Sequence, residues 1–287
     1  MAIILDGKAT AAKIRASVRA SVEEDRGKAG RAPCLAVILV GDDPASQTYV
    51  RNKEKACADA AIDTASHRLP SGSAQAEVEA LIARLNADPS VDGILLQLPL
   101  PKGLDAAPCI HAISPGKDVD GLTIANQGKM VMGLPGLRPC TPAGILALLD
   151  AYGIPTDGRK AAVLGRSELV GRSIAILLSS QERNATVTLC HSHTPDVAAV
   201  CRDADIIIAA LGKPRFLKAD MVKRGAVVID VGINRLDDGK LCGDVDFDAV
   251  APLASAITPV PGGIGPMTIS QLLVNTEKAW RKTLLGG

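Results

Sequence analysis

The stretch that decides the fold is GRKAAVLGRSELVGRSIAILLSS, residues 158–180. Lys160–Leu164 is an apolar run that predicts a buried strand, and Leu169–Ser180 has the apolar spacing of a helix. The turn between them begins at Gly165 and ends at Gly171. A strand, a glycine turn and a helix N-terminus together bind a dinucleotide pyrophosphate through backbone amides and the helix dipole. The glycines are six residues apart instead of in GxGxxG, so an ordinary strand-to-helix turn stays open as the alternative.

The chain after this turn predicts the rest of a Rossmann-like sheet. Thr186–Thr194 is expected to be the second strand, and it ends without the Asp or Glu that contacts ribose hydroxyls in NAD sites. Ser192 lies at that end, and Arg166 comes from the glycine turn. A cation and a hydroxyl without a carboxylate favour a ribose phosphate, and therefore NADP. Further strands are predicted within Ala204–Gly212 and Gly225–Asn234.

The N-terminal half predicts a second parallel sheet. Cys34–Gly41 and Asp92–Pro101 are near-continuous apolar runs, which are typical of strands covered on both faces. Predicted helices alternate with these strands, and this order indicates a parallel α/β sheet with right-handed crossovers. Ile124–Pro139 contains five glycines or prolines and little periodicity, so we expect an irregular connection there. Further elements are expected at residues 3–5 (strand), 8–28 (helix), 67–69 (strand), 74–86 (helix) and from Thr141 (helix).

The segment TYVRNKEKACADAAI, Thr48–Ile62, places one lysine in a face that should be buried. Asp43 and Pro44 predict the start of this helix. Lys53 is the one charged member of the apolar stripe and lies one turn after Tyr49. A lysine shielded from water has a lowered pKa and can exchange protons near neutral pH. The alternative is a lysine whose stem passes the core and whose amine reaches solvent. The stripe comprises Tyr49, Val50, Lys53, Ala56, Cys57, Ala60 and Ala61.

Two further polar groups are candidates for the same site. Gln97 is the only polar side chain in its apolar strand, at the carboxyl end where parallel sheets bind ligands. Backbone groups can equally satisfy a lone glutamine at a strand end. Asp118 and Asp120 lie in the loop Ser114–Thr123, where aspartates are commonly turn formers. A carboxylate there can instead bind the paired N–H donors of a heterocycle.

A glycine turn precedes the C-terminal helix. Gly262, Gly263 and Gly265 expose backbone amides and allow a flat ligand to approach closely. A tight connection into the helix is the alternative. The helix is expected to begin at Pro266 or Met267 and to run to about residue 284.

Composition excludes several classes of protein. The 287 residues suggest two domains, and Lys+Arg 32 against Asp+Glu 31 offers no charge for a nucleic-acid or membrane partner. No apolar run approaches the length of a membrane span, and the N-terminus lacks the features of a signal peptide. Seven scattered cysteines without a CxxC pair indicate reduced thiols in the cytoplasm. The cluster Cys190–His193 lacks a second ligand pair, so no metal site is expected.

Taken together, seven segments in order resemble one family, the bifunctional methylenetetrahydrofolate dehydrogenase/methenyltetrahydrofolate cyclohydrolases. The segments are GDDPASQTYVRNKEKA, DGILLQLPLP, GKDVDG, PCTPAGI, GRSELVGRS, DVGIN and PVPGGIGPMT. The resemblance implies an α/β fold of two domains with a folate cleft between them. The folate-binding catalytic domain is expected at residues 1–140 and 264–287, because the C-terminal helix returns to it. The Rossmann-like NAD(P)-binding domain is expected at residues 141–263. The resemblance also implies a cytoplasmic homodimer.

The resemblance further implies which residues form the site. Lys53 would be the central catalytic amine, Tyr49 would stack on the folate rings, Gln97 would hold and tune Lys53, and Asp120 would bind the pterin. Other folate contacts are expected at Leu96, Leu98, Pro261, Gly262, Gly263, Ile264 and Gly265. NADP contacts are expected at Gly165, Arg166, Ser167, Ser192 and Ile233.

The implied activity is NADP-dependent oxidation of 5,10-methylenetetrahydrofolate to the methenyl form, and hydrolysis of that product to 10-formyltetrahydrofolate, in one-carbon metabolism. His193 stands where the family often has Lys or Arg, which weakens the preference for NADP and leaves NAD possible. Ser173 stands where the family often has proline. Two other functions remain open: an NADP-dependent dehydrogenase of an amino-acid or shikimate-type metabolite, and a nucleotide-binding module without catalysis.

Overall fold

A computed structural model describes residues 2–236 and 238–284, and the chain divides into two compact units. The small-sheet unit comprises Ala12–Cys140 and the chain from Ile269 onward. The large-sheet unit comprises the chain up to Ala11 and Thr141–Thr268. Both units are built on parallel sheets with helices between the strands, so the predicted α/β class is confirmed.

The strands are β1 (Ile3–Ile4), β2 (Cys34–Val40), β3 (Asp63–Leu69), β4 (Gly93–Leu96), β5 (Lys160–Leu164), β6 (Thr186–Cys190), β7 (Ile206–Ala209), β8 (Val227–Asp230), β9 (Asn234–Arg235), β10 (Leu241–Cys242) and β11 (Ala256–Ile257). The helices are α1 (Gly7–Ala29), α2 (Pro44–Asp59), α3 (Gln75–Ala87), α4 (Ala106–Ala112), α5 (Ile124–Val131), α6 (Cys140–Ala151), α7 (Ser173–Ser179), α8 (Val197–Asp203), α9 (Phe247–Val250) and α10 (Ile264–Leu284). A π-helical turn, Glu168–Arg172, precedes α7, and a 3-10 turn covers Ala219–Met221.

The small sheet has the strand order β3-β2-β4, and both pairings are parallel. In β2 the side chains from Leu35 to Val40 are buried, because this central strand is covered on both faces. Ile38 lies opposite Leu96, the last residue of β4. The chain therefore leaves β4 at the carboxyl edge of the sheet, where Gln97 follows.

Helix α2 begins as its sequence predicts. The Asp43 carboxylate accepts a hydrogen bond from the Ser46 amide at 2.7 Å, and Pro44 occupies the first turn. The predicted stripe is largely buried, while Tyr49 is 43% exposed. The helix ends at Asp59, and Ala61 adopts a positive φ of 59°, so the last two members of the stripe lie beyond the helix.

The interpretation of Ile124–Pro139 as wholly irregular is wrong, because α5 occupies its first half. The Thr123 side chain accepts a hydrogen bond from the Asn126 amide and caps this helix. Asn126 and Met130 are buried, one turn apart. The glycines that suggested a loop lie inside α5, at Gly128, and beyond its end.

The large sheet has the order β1-β11-β8-β7-β5-β6, with parallel pairing throughout. Strand β1 belongs to this sheet, although residues 1–140 are expected from the sequence to lie in the other domain. The Ile3 and Leu5 amides donate to the Ser255 and Ile257 carbonyls, both at 2.8 Å, and so fix the N-terminus beside β11. The domain limits themselves stay a prediction.

Helix α10 begins at Ile264, two residues before the predicted start. From Ile269 onward it belongs to the small-sheet unit, where Leu272, Leu273 and Trp280 join the hydrophobic core. The predicted return of the C-terminal helix to the first domain is therefore confirmed. Within residues 2–236 and 238–284, no helix has the length and apolarity needed to cross a membrane.

Candidate active site

A hydrogen bond joins Lys53 of α2 to the residue that follows β4. The Lys53 Nζ donates to Gln97 Oε1 at 3.0 Å. Gln97 is 7% exposed, and Lys53 is half-buried. The amine of Lys53 therefore has a protein partner at the strand end, on a side chain that is partly accessible to solvent.

The remaining bonds of Gln97 fix the direction of its amide. Its backbone N–H donates to the Ile38 carbonyl at 2.9 Å, which continues the pairing with β2. Its side-chain Nε2 donates to the Leu98 carbonyl at 2.6 Å. With Nε2 engaged there, Oε1 faces the lysine, so the amine meets an acceptor that is in place before any ligand arrives.

Asp120 interacts electrostatically with Lys53. Burial raises the pKa of the Asp120 carboxyl, and the positive charge of Lys53 and a hydrogen bond with the Cys140 side chain oppose that rise. The pKa of the Cys140 thiol is also raised, well above its ordinary value, first by burial and then by the negative charge of Asp120. Lys53, Gln97 and Asp120 thus form one polar group in the small-sheet unit.

Asp118 has a different task from Asp120. Its carboxylate accepts hydrogen bonds from the Leu122 amide, the Thr123 amide and hydroxyl, and the Asn126 side chain, at 2.7 to 3.0 Å. It is 1% exposed. The four bonds fold the loop back onto the start of α5, so Asp118 is the turn former, a role that the sequence left open for both aspartates.

Apolar and aromatic groups lie beside this polar group. Tyr49 is one helical turn before Lys53, and its exposed ring is accessible to a flat ligand. Leu96 is buried in the sheet, while Leu98 is half-buried after the strand end. The structure therefore brings Tyr49, Lys53 and the strand end into the same unit.

In the large-sheet unit, the turn at Pro261–Gly265 packs against the start of the chain. Gly262 has a φ of 108°, and its carbonyl accepts a hydrogen bond from the Lys8 amide at 3.0 Å. A Cβ added to Gly7 would lie 1.8 Å from the Gly263 carbonyl oxygen. Close backbone contact therefore fixes the turn, which agrees with the tight connection considered from the sequence.

The turn after β5 explains why its glycines are six residues apart. Gly165 has a φ of 110°, and an added Cβ would lie 2.1 Å from the Ala210 carbonyl oxygen. A Cβ on Gly171 would lie 2.0 Å from the Gly165 carbonyl oxygen. The Ser167 hydroxyl accepts hydrogen bonds from the Val170 and Gly171 amides at 3.3 and 3.4 Å. The two glycines thus pack close to one another across the π-helical turn, and neither position has room for a side chain.

The side chains expected to contact the nucleotide are exposed at the edge of the large sheet. Leu164 lies opposite Cys190 in the pairing of β5 with β6. Arg166 and Ser192 each follow two residues later, so both lie beyond the same strand ends, and both are exposed. Ile233, after β8, is 48% exposed. The glycine cradle and the exposed cation therefore fit a nucleotide that carries phosphate groups.

Sequence models of two domains match this chain. The catalytic domain of tetrahydrofolate dehydrogenase/cyclohydrolase matches residues 5–120, and the NAD(P)-binding domain of the same enzymes matches residues 139–284. The chain belongs to the tetrahydrofolate dehydrogenase/cyclohydrolase family. The resemblance drawn from the seven segments is therefore confirmed.

Individual members of the tetrahydrofolate dehydrogenase/cyclohydrolase family are similar over nearly the whole chain. The bifunctional protein FolD of Oleidesulfovibrio alaskensis is 59% identical over 282 residues, which cover 98% of each chain. The structure of the FolD methylenetetrahydrofolate dehydrogenase/cyclohydrolase of Campylobacter jejuni has a TM-score of 0.96 and 47% identity, and covers 98% of this chain and 99% of its own. The Trypanosoma brucei enzyme, solved with NADP and an inhibitor, has a TM-score of 0.93 and 37% identity over 98% of each chain.

Sequence reasoning missed some groups that shape the site. Cys140 was assigned no role, and Asn275 of α10 was not considered, although it is 3% exposed and polar. The available signal was its spacing: Asn275 lies three residues after Leu272 and four before Ala279, on the buried face of the helix. Asp230 and Asp244 were also missed; both are buried and accept backbone hydrogen bonds in the large-sheet unit.

Proposed function

We propose that this tetrahydrofolate dehydrogenase/cyclohydrolase oxidises 5,10-methylenetetrahydrofolate with NADP⁺ and hydrolyses the resulting 5,10-methenyltetrahydrofolate to 10-formyltetrahydrofolate. The observation that carries the proposal is the bond from Lys53 Nζ to Gln97 Oε1, at 3.0 Å, in the unit that also contains Asp120. An amine, an amide and a carboxylate in these positions suit a flat, nitrogen-rich substrate and a reaction that moves protons.

The cofactor is proposed to bind at the carboxyl edge of the large sheet. Bound NADP⁺ supplies the hydride acceptor for the first reaction. The turn between Gly165 and Gly171 holds phosphate through backbone amides, with Ser167 at the helix start. Arg166 and Ser192 contact the ribose phosphate, and Ile233 lies against the nicotinamide. His193 in place of a second fixed cation leaves NAD as a weaker alternative.

In the small-sheet unit, Tyr49 stacks on the folate ring system and Asp120 binds the pterin through its paired N–H donors. An ionised carboxylate accepts both donors, so binding through Asp120 requires the deprotonated form. Leu96 and Leu98 supply apolar contact at the strand end. The role of Pro261–Gly265 as a further folate contact rests on the family resemblance alone.

The hydrolytic step uses Lys53 as the proton carrier. The oxygen of water bonds to the methenyl carbon while the amine accepts the proton of that water. The hydroxyl of this adduct then loses its proton as the formyl C=O forms and the bond from the carbon to N5 breaks; N5 gains one proton, and one proton is released overall. Gln97 keeps the amine directed at the reacting carbon.

Assembly and location complete the proposal. The chain acts as a homodimer in the cytoplasm. Light scattering on the purified protein checks the dimer, since a monomer at micromolar concentration would contradict it.

The function is tested with the purified wild-type protein, methylenetetrahydrofolate and either NADP⁺ or NAD⁺. We expect the absorbance of the reduced nicotinamide to rise faster with NADP⁺, and the methenyl product to decay faster than it does without enzyme. If the nicotinamide cofactor is reduced with shikimate or an amino acid as substrate, and not with methylenetetrahydrofolate, the protein belongs to the other dehydrogenase class. Absence of turnover with all of these substrates would indicate the non-catalytic module.

A further inference from the structure

The loop that carries Asp120 is held from the C-terminal helix. The carbonyl of Val119, the residue just before Asp120, accepts a hydrogen bond from Asn275 Nδ2 at 2.8 Å. The same carbonyl accepts from the Cys140 thiol at 3.2 Å. Val119 is fully buried and Asn275 is 3% exposed, so these bonds form away from water. One side of Asp120 is therefore fixed to α10.

Asn275 also holds the neighbouring segment. Its Nδ2 donates to the Arg138 carbonyl at 2.9 Å, so both amide hydrogens have acceptors. The Arg138 segment in turn packs on Gly121, the residue just after Asp120. An added Cβ on Gly121 would lie 2.5 Å from the Arg138 carbonyl carbon. A single side-chain amide thus joins two stretches of backbone that enclose Asp120.

Bonds on the far side complete the enclosure. The Gly121 amide donates to the Asp118 carbonyl at 3.0 Å, and Gln127 Nε2 donates to the Gly121 carbonyl at 2.9 Å. The backbone on both sides of Asp120 is therefore fixed, and the position of its carboxyl depends on where those two flanking residues lie.

We propose that Asn275 is a positioning residue for Asp120, and that the C-terminal helix is in this way a working part of the folate site. This inference rests on the proposed function, in which the Asp120 carboxylate binds the pterin. Asn275 does not touch the substrate. It fixes the separation between the Val119 and Arg138 segments, and with it the placement of the carboxylate relative to Lys53.

The chemistry of the position supports a role beyond filling space. The buried face of α10 combines apolar residues such as Leu272 and Leu273 with the polar residues Asn275 and Thr276, and the Thr276 hydroxyl bonds within the helix. A buried amide is costly unless its hydrogens are bonded. Here the two bonds go to backbone carbonyls outside α10. Removing the amide leaves the Val119 carbonyl with the weak thiol donor of Cys140 and takes away the hydrogen bond from Asn275 to the Arg138 carbonyl.

The test compares Asn275→Ala with a control on the next residue of the same helix. Thr276 is fully buried, and its hydroxyl donates to the Leu272 carbonyl within α10, so Thr276→Val removes a buried polar group without freeing the Asp120 loop. Thermal unfolding is followed by the fluorescence of Trp280, the one tryptophan of the chain. We expect both variants to lose stability. Only Asn275→Ala is expected to raise KM for methylenetetrahydrofolate, by about tenfold, with KM for NADP⁺ unchanged.

A double-mutant cycle decides whether the effect passes through Asp120. Calorimetry gives the dissociation constant for tetrahydrofolate in wild type, Asn275→Ala, Asp120→Asn and the double variant. If Asn275 acts by placing the carboxylate, its substitution weakens binding in wild type and has little effect in Asp120→Asn. The proposal is overturned if Asn275→Ala leaves binding unchanged, or weakens it by the same factor in both backgrounds.

The remaining outcomes distinguish a folding defect, failure of the proposed function and failure of this inference. If Asn275→Ala does not fold, Asn275→Ser retains one donor and takes its place, with an intermediate effect expected; failure of both to fold would assign the amide to stability and reject the proposal. An inactive wild type that also fails to bind tetrahydrofolate would reject the proposed function. An active wild type with insensitive Asn275 variants would reject this inference alone.

Discussion

The two candidate sites of this chain are built in different ways. In the small-sheet unit, side chains bond to one another and to backbone before any ligand binds, as Lys53, Gln97 and the loop around Asp120 show. At the edge of the large sheet, the cradle is backbone brought close by Gly165 and Gly171, and the side chains beside it are exposed.

The difference follows from what each site must do. A proton transfer needs its amine within hydrogen-bond distance and correctly directed from the start, so the protein fixes that amine with Gln97. A nucleotide carries phosphate groups, so its site needs a backbone surface that fits them. An exposed cation such as Arg166 can become ordered when the phosphate binds. Changes in the first region should therefore affect hydrolysis, and changes in the second should affect the use of the cofactor.

Among changes that leave Lys53 in place, the largest effect is expected for Gly171→Ala. The added Cβ would lie 2.0 Å from the Gly165 carbonyl oxygen, so the turn must shift. We expect KM for NADP⁺ to rise about 100-fold. Hydrolysis of methenyltetrahydrofolate, which consumes no NADP⁺, should stay near the wild-type rate.

Gly27→Ala is the control for this experiment, because an added Cβ there meets nothing within 4 Å and the site lies in a helix. Equal losses of both activities in Gly171→Ala would contradict the separation of the two regions.

The second prediction concerns Asp230, a buried carboxyl that accepts hydrogen bonds from backbone amides and has no proposed contact with substrate. Asp230, at the end of β8, accepts hydrogen bonds from the amides of Gly232, Asp244 and Val245. Burial nevertheless raises the pKa of Asp230 to about 6, and the charge of Asp244 adds to the rise. An unfolded aspartate titrates near pH ~3.9, so the folded state holds the extra proton between about pH 4 and about pH 6.

The stabilisation from Asp230 is therefore full below about pH 4 and is lost as the pH rises through about 6. We expect the difference in unfolding free energy between wild type and Asp230→Asn to fall by about 3 kcal/mol from about pH 4 to about pH 7. Denaturant titrations at each pH measure it. A difference that does not change with pH would show that this carboxyl keeps an ordinary pKa.

The third and smallest effect concerns cofactor choice. Arg166→Ala should raise KM for NADP⁺ about tenfold, because a phosphate loses a cation, and should leave KM for NAD⁺ within about twofold. Arg224→Ala is the control, because Arg224 is exposed in the same unit and lies outside the Gly165–Gly171 turn. Equal changes for the two cofactors in Arg166→Ala would rule out the phosphate contact.

The sequence predicted those parts of the fold whose signals are local. The helix pattern and the strand end marked Lys53 and Gln97 as candidates for one site, and the family resemblance implied that Gln97 holds Lys53. Helix α5 was missed because glycine and proline counts outweighed its cap at Thr123. The partner of β1 was missed because a two-residue strand does not indicate that Ser255 and Ile257, some 250 residues later, supply its bonds.

The candidate site was predicted in the same uneven way. Residue types and strand ends made Lys53, Gln97, Arg166 and Ser192 candidates, and the family resemblance assigned their roles and selected Asp120 in its loop. The structural role of Asp118 in the turn could be identified only from the structure, because Asp118 and Asp120 lie in one short loop. The contacts of Asn275 could also be identified only from the structure. They are made to backbone carbonyls more than 130 residues earlier in the chain, and no pattern of side chains predicts such contacts.

The most direct test of the account is the decay of methenyltetrahydrofolate in the presence of Lys53→Met. Lys55→Met serves as the control, because Lys55 is exposed on the same helix. We expect the Lys53 variant to lower hydrolysis to the rate without enzyme, while the Lys55 variant hydrolyses the substrate as wild type does. Full retention of hydrolysis in Lys53→Met would contradict the claim that this amine carries the proton.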